Sequence, residues 1–249
     1  MDVRRCDGSV APVLAAALLA TVVLPVCGAQ AAKLEGWVKA GPGVAAAPAL
    51  SVAVDDWVCG KDGSTPDPRL VIAADRRIAD VVVTVEVEGA APSEGAKRAV
   101  ITQEGCRFQP HVSIVVPGQE LEVRNDDSVL HNFRTIATHN RRINRAQVKG
   151  TSDVFRFETP EIIRVECDVH YWMSAVVVVA EHEFVAVTDA NGGFSLEGLD
   201  PGRYPVRLWH QRLGERRTEV EIAADGGRLE VVWPAAPQPP VEQAEPTRP

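Results

Sequence analysis

Short apolar runs separated by glycine- and proline-rich turns recur along most of this 249-residue chain. Residues 111–116 (HVSIVV) and 120–125 (ELEVRN) alternate on either side of the turn PGQ, and residues 174–180 (SAVVVVA) form a continuous apolar run. Alternation is typical of half-buried strands, and a short continuous run is typical of a fully buried one. No sustained 3.6-residue periodicity follows the first thirty-odd residues. The sequence therefore predicts an all-β protein.

Charge and composition restrict the class of protein further. The formal net charge is −8, with 45% apolar and 24% charged residues. These apolar and charged fractions are ordinary for a folded globular protein, and the negative balance argues against nucleic acid as a partner. The length suffices for one large or two small domains.

The first 31 residues have the pattern of a secretory signal peptide. Arg4 and Arg5 precede an apolar stretch over residues 10–26, and residues 29–31 (AQA) form a small-residue cleavage site. Two prolines make this stretch a poor membrane span, and no later run is long enough to cross a membrane. We therefore expect an exported, periplasmic protein that does not span the membrane. A lipid anchor on Cys27 is a weaker alternative.

Three cysteines remain after the expected cleavage, which is an odd number for an oxidising compartment. Cys59 and Cys106 each lie beside a glycine in turn-like sequence, with no potential metal ligand nearby. Cys167 lies in RVECDVHYWM, among several potential ligands. The simplest assignment is a Cys59–Cys106 disulfide and a Cys167 thiolate held by a metal. An accidental free thiol is the alternative.

The spacing Cys167-x-x-His170-x-x-Met173 places a thiolate, an imidazole and a thioether on one loop between two predicted strands. Such soft donors suit copper, and a type 1 copper site needs a second imidazole. His131, after an earlier strand, supplies that imidazole. Asn132 beside it is placed to hydrogen-bond the loop that holds the thiolate. A structural zinc site or a cysteine nucleophile explains these residues less well, because there is no CxxC and a nucleophile has no use for the methionine.

Residues 108–133 (FQPHVSIVVPGQELEVRNDDSVLHNF) and 167–173 (CDVHYWM) resemble cupredoxins of the plastocyanin and amicyanin type. The resemblance covers about residues 99–180, and the short Cys-His-Met loop is closest to that of amicyanin. It implies a Greek-key β-sandwich that carries one copper ion and transfers single electrons without being an enzyme. By the same resemblance the redox partners would be a dehydrogenase donor and a cytochrome acceptor. The implied copper ligands are His131, Cys167, His170 and Met173.

Residues 181–233 resemble a different family, the non-catalytic carboxypeptidase regulatory-like β-sandwich, in the run VTDANGGFSLEGLDPGRYPVRLWH. Residues 32–98 form an N-terminal β region that could supply the first strands of that module. The cupredoxin would then be inserted into a split sandwich; separate domains in tandem are the alternative. Residues 234–249 are proline-rich and are expected to form a disordered tail.

Two features suggest a surface where a redox partner docks. Arg141, Arg142 and Arg145 lie in a polar loop of about twenty residues that we expect after the first histidine ligand, in a stretch without acidic residues. A basic rim there would steer an acidic partner, although a solvated loop is the ordinary interpretation. Tyr171 and Trp172 would rim an exposed edge of the neighbouring histidine, or Trp172 would only plug the core.

Together these observations predict an exported mononuclear type 1 copper protein for one-electron transfer. Copper storage, delivery or sensing would use the same ligands. A metal-free adhesion or assembly module would not bind copper. A multicopper oxidase or nitrite reductase ranks last, because the remaining histidines are few and scattered.

Overall fold

The computed structural model describes residues 32–60, 62–92 and 97–234. The predicted signal peptide and, from residue 235, the predicted tail lie outside these ranges. Within them, no helix has the length and apolar character that crossing a membrane requires.

The all-β class is confirmed: in the described residues, eighteen strands are joined by turns and one four-residue helix. The strands are β1 (Ala32–Ala40), β2 (Leu50–Ser51), β3 (Ser64–Thr65), β4 (Val82–Val85), β5 (Ala99–Gln103), β6 (Phe108–Gln109), β7 (Val112–Val115), β8 (Leu121–Asn125), β9 (His131–Ile136), β10 (Asn144–Gln147), β11 (Ser152–Phe155), β12 (Glu161–Glu166), β13 (Ser174–Val179), β14 (Val185–Val187), β15 (Gly193–Leu199), β16 (Gly202–His210), β17 (Gly214–Ala223) and β18 (Gly226–Trp233), and the helix is α1 (Asp56–Cys59).

Strands β5 to β13 form a β-sandwich. One sheet has the order β10-β9-β12-β13-β7 and the other β11-β8-β5-β6. Alternate side chains of both sheets point inwards and form one core, in which Ile101, Leu121, Phe133 and Ile163 are fully buried. Such alternation is what the half-buried strand pattern requires.

The remaining long strands form a seven-stranded sheet of order β14-β4-β16-β17-β18-β1-β15. Strands β1 and β4, which precede the sandwich in the chain, thus pair with strands that follow it. Strands β17 and β18 pair only at their hairpin, through Ile222 with Gly227 and Ala223 with Gly226. The strands on either side of this hairpin contribute to a common core that includes Leu34, Val83 and Leu208.

The sheet and the sandwich meet along a small apolar contact. Val82 of β4 packs with Val112 of β7 and with Val176 and Val178 of β13. This contact joins the seven-stranded sheet to β7 and β13 of the sandwich.

The prediction of a long polar loop after His131 is wrong, because β9 begins at His131 itself and β10 lies within the following twenty residues. Phe133 and Thr135 of β9 face the core while Arg134 between them is partly exposed. Strand β10 is an edge strand, and its first three side chains are exposed. Polar side chains on an edge strand are ordinary, but they hide the strand pattern in the sequence.

Candidate metal centre

Three predicted ligands come together at one end of the sandwich. His131 is the first residue of β9, Cys167 directly follows β12, and His170 lies in the loop from there to β13. His131 Nδ1 lies 3.0 Å from His170 Nδ1, and Cys167 Sγ lies 3.9 Å from His170 Nδ1. A ligand atom from each of the three lies within 4.8 Å of the others, and all three side chains are buried.

The Cys167–Met173 loop is closed by its own backbone. The Cys167 N–H donates to the Met173 carbonyl at 3.3 Å, and the Met173 N–H donates to the His170 carbonyl at 2.9 Å. The Met173 side chain is buried in the same cluster as the Cys167 side chain. A loop of this length therefore brings the methionine and the other two side chains into one buried region.

The thiol of Cys167 lies among hydrogen-bond donors. The backbone N–H groups of Asn132 and His170 point at Sγ from 3.3 and 3.4 Å. Burial raises the pKa of this thiol, but hydrogen bonds from His131, from the His170 side chain and from backbone N–H groups outweigh burial and bring the pKa down to about 6. Cys167 is therefore largely a thiolate at neutral pH, which is the form that binds metals.

The donor set fits a soft or borderline transition-metal ion. Metal bonds to imidazole nitrogen and thiolate sulfur are about 2.0–2.3 Å long, using zinc as the guide. Separations of 3.0 Å between the two Nδ1 atoms and 3.9 Å from Nδ1 to Sγ therefore allow one ion to contact all three atoms. A thiolate, two imidazoles and a nearby thioether are the ligands that copper prefers.

Asp127, which the sequence analysis did not single out, holds the far side of His131. His131 Nε2 lies 2.7 Å from Asp127 Oδ2, and the backbone N–H groups of Gly105 and Cys106 donate to the same carboxylate at 2.8 Å. Burial raises the pKa of Asp127, but these hydrogen bonds reverse the shift and leave the pKa lowered. An ionised Asp127 accepts the Nε2 proton, so Nδ1 is the nitrogen that faces Cys167 and that would bind a metal in place of its own proton.

Asp55 has the same relation to His170. Its Oδ2 lies 3.0 Å from His170 Nε2, although the two residues are 115 positions apart in the chain. The only local signal for Asp127 was its spacing of four residues before His131, and Asp55 had no such signal.

Asn132 links the first histidine to the loop that carries the thiolate. Its side-chain oxygen accepts the Asp168 N–H at 3.3 Å, and its side-chain nitrogen donates to Asn144 Oδ1 at 2.5 Å. Together with its N–H bond to Cys167 Sγ, these contacts connect β9 and β10 to the ligand loop.

The disulfide between Cys59 and Cys106 is confirmed, and Cys167 is free within the described part of the chain. The bridge joins the end of α1 to the turn between β5 and β6. Asp55 directly precedes α1, and the turn between β5 and β6 contains the N–H groups that hold Asp127.

The expectation of an exposed histidine edge is wrong. His170 has no exposed surface, and Asp55, the Cys59–Cys106 disulfide and Trp172 lie against it. Trp172 is only 2% exposed and packs beside His170, so the tryptophan plugs the core and does not rim a surface. Tyr171 is 66% exposed, and its hydroxyl donates to the Ser51 carbonyl at 2.6 Å.

The three predicted docking arginines are exposed but lie at different distances from the site. Arg145 pairs across the sheet with Phe133, two residues from His131, and forms an ion pair with Asp153. Arg142 donates to the Ala137 carbonyl, beyond the far end of β9. A strand of this length spans about 17 Å, so Arg142 and the adjacent Arg141 do not rim the metal centre.

Comparisons with known proteins give likenesses between part of this chain and solved structures. No family model and no curated protein matches the chain. A Cu-containing nitrite reductase from Thermus scotoductus SA-01 matches at 21% identity and a TM-score of 0.33, over 39% of this chain and 25% of that chain. A purple cupredoxin from Nitrosopumilus maritimus matches at 23% identity and a TM-score of 0.29, over 33% of this chain and 99% of that chain. A reduced Cu(I) form of an amicyanin variant matches at 18% identity and a TM-score of 0.31, over 39% of this chain and 98% of that chain.

Proposed function

We propose that this protein binds a single copper ion in a type 1 site and transfers single electrons, without catalysing a reaction of its own. The proposed ligands are His131, Cys167, His170 and Met173. The observation that carries the proposal is the convergence of one free, buried thiol and two buried imidazoles on a common point.

The surroundings of the three donors support a rigid, dry site. Two backbone N–H groups hold the Cys167 sulfur, and a carboxylate fixes the outer nitrogen of each imidazole. Copper would supply the one-electron redox couple. Ligands that are already held in place and shielded from water need little rearrangement when the charge of a bound ion changes, and such preorganisation favours rapid transfer.

The proposal includes export to the periplasm, on the signal-like pattern of residues 1–31, and redox proteins as partners. A dehydrogenase donor or a cytochrome acceptor would fit the cupredoxin resemblance. Arg141, Arg142 and Arg145 line a groove together with Arg156 between the edge strands β10 and β11. We assign this groove to docking of an acidic partner.

The domain division is also a proposal. The cupredoxin unit would cover residues 99–180, inserted into a carboxypeptidase regulatory-like module formed by residues 32–98 and 181–233. The pairing of β1 with β15 and β18, and of β4 with β14 and β16, supports this division. In this arrangement the module would act in docking or stability.

Addition of Cu(II) to the metal-free protein tests the proposed site. We expect one equivalent to bind and to give an intense visible band from thiolate-to-copper charge transfer, and we expect Cys167→Ser to abolish that band. His139→Ala, at an exposed loop histidine, is the matched control for His131→Ala and should leave the band intact. Absence of the band in the parent protein, or its persistence in Cys167→Ser, would contradict the proposal.

A further inference from the structure

Each imidazole of the site is backed by a carboxylate from outside the Cys-His-Met loop. Asp127 lies behind His131 at 2.7 Å, and Asp55 lies behind His170 at 3.0 Å. A carboxylate that accepts the Nε2 proton fixes both the tautomer and the ring orientation, so that Nδ1 faces the thiolate. The two sides of the site are thus held in the same way by residues from different parts of the chain.

Both carboxylates depend on backbone in the left-handed region. Asp55 has φ 53°, and Gly105 and Cys106 have φ 59° and 54°. The consecutive pair Gly105–Cys106 directs two N–H groups at Asp127, an arrangement that favours an anion. Non-glycine residues adopt this conformation at some cost, and such residues concentrate where the surrounding structure requires them.

One covalent bond joins the two supports. Cys59 ends α1, which begins directly after Asp55, and Cys106 provides one of the N–H groups that hold Asp127. The Cys59–Cys106 disulfide therefore connects the segment behind His170 to the turn behind His131.

The segment of residues 50–60, here called the strap, covers the histidine edge that would otherwise face solvent. His170 has no exposed surface, and the Asp55 side chain above it is 29% exposed. The Tyr171 hydroxyl donates to the Ser51 carbonyl at the other end of the strap. These contacts at Ser51 and Asp55 and the disulfide at Cys59 hold the strap against the site. The pairing of β2 with β3 and the burial of Val52 in the sandwich core hold it as well.

We propose that the strap is a disulfide-anchored cover for the metal centre, and that Asp55 and Asp127 are positioning residues that orient His170 and His131. The inference rests on the proposed function only in taking the two imidazoles as copper ligands. Its consequence is that solvent and small reagents reach the Cys167 sulfur only when the strap opens.

Alkylation of Cys167 in the metal-free full-length protein tests this closure without copper. Iodoacetamide labelling is followed on the peptide that contains Cys167. Asp55→Ala removes the hydrogen bond to His170 and should accelerate labelling roughly ten- to a hundredfold, the effect expected for a hydrogen bond to a charged group. Asp55→Asn keeps an acceptor oxygen and should give an intermediate rate. Asp56→Ala, at the exposed neighbouring position, is the matched control and should label like the parent.

The positioning role is tested by the imidazole N–H signals of ¹⁵N-labelled metal-free protein. Asp55→Ala should remove the slowly exchanging Nε2–H signal of His170 and keep that of His131, whereas Asp127→Ala should do the reverse. Replacement of both Cys59 and Cys106 by alanine should accelerate labelling and weaken both signals.

Equal labelling rates for Asp55→Ala and Asp56→Ala would overturn the proposal that the strap covers the metal centre. Intact imidazole signals in the disulfide variant would overturn the proposal that the disulfide couples the two carboxylates. Loss of copper binding alone would affect only the proposed function.

Discussion

A buried histidine at the end of β16 makes the stability of this protein depend on pH. His210 is only 1% exposed, and its Nδ1 accepts the Arg212 N–H at 3.2 Å. Burial, followed by unfavourable electrostatic interactions with His111 and Arg212, lowers the pKa of His210 to about 4. The folded protein therefore keeps this imidazole neutral at a pH where the unfolded chain protonates it.

The size of the effect follows from the difference between the two pKa values. An unfolded histidine has a pKa of about 6.5. Between about pH 6.5 and pH 4 the unfolded state binds the extra proton, so stability falls as the pH falls. The full difference corresponds to about 3 kcal/mol, of which about 2 kcal/mol is lost by pH 5. Above about pH 6.5 His210 causes no loss of stability, and below about pH 4 the loss stays at its full value.

Urea unfolding of the parent protein and of His210→Gln, at about pH 8 and about pH 5, measures this effect. Glutamine is neutral and can still accept the Arg212 N–H, so the variant should lose about 2 kcal/mol less than the parent between the two pH values. His139→Gln, at an exposed position, is the control and should behave like the parent. A parent and a His210→Gln variant with equal pH dependence would refute the reasoning.

Three further predictions concern the disulfide, the core and the thiol. Replacing both Cys59 and Cys106 by alanine should lower the free energy of unfolding by about 4 kcal/mol, because the bridge spans 47 residues; a loss below about 1 kcal/mol in urea unfolding would count against this role. Phe133→Ala should lower the free energy of unfolding by about 3–5 kcal/mol, since the ring is fully buried between Phe108 and Phe155. A loss as small as that of a surface substitution would show that this packing contributes little to stability. In metal-free protein, the thiolate absorbance of Cys167 is measured as the difference between the parent and Cys167→Ser. Its midpoint should lie near pH 6 and should shift upward in His131→Ala. An unshifted midpoint would exclude the hydrogen bond from His131 as a cause of the lowered Cys167 pKa.

Local sequence patterns were enough to predict features that are formed by residues close together in the chain. Alternating and continuous apolar runs predicted the all-β class, and the glycine-flanked Cys59 and Cys106 predicted the disulfide. The spacing from Cys167 to Met173 predicts that the cysteine, histidine and methionine side chains lie in one region, since seven residues between two strands are enough to hold three side chains close together.

Contacts between distant segments could not be predicted in this way. Asp55 reaches His170 across 115 positions, and it depends on a left-handed backbone residue that the sequence does not identify. The cover over His170 was missed for the same reason, and so the histidine edge was expected to be exposed. The sequence predicts a loop after His131 because the edge strand β10 displays polar side chains, and their pattern does not distinguish an edge strand from a solvated loop.

X-ray absorption at the copper edge of the loaded protein tests the central claim most directly, because it reports the atoms bound to the metal. We expect one short bond to sulfur and two bonds to imidazole nitrogen, with the sulfur bond lost in Cys167→Ser. A spectrum with only nitrogen and oxygen neighbours, or one unchanged in Cys167→Ser, would contradict the claim.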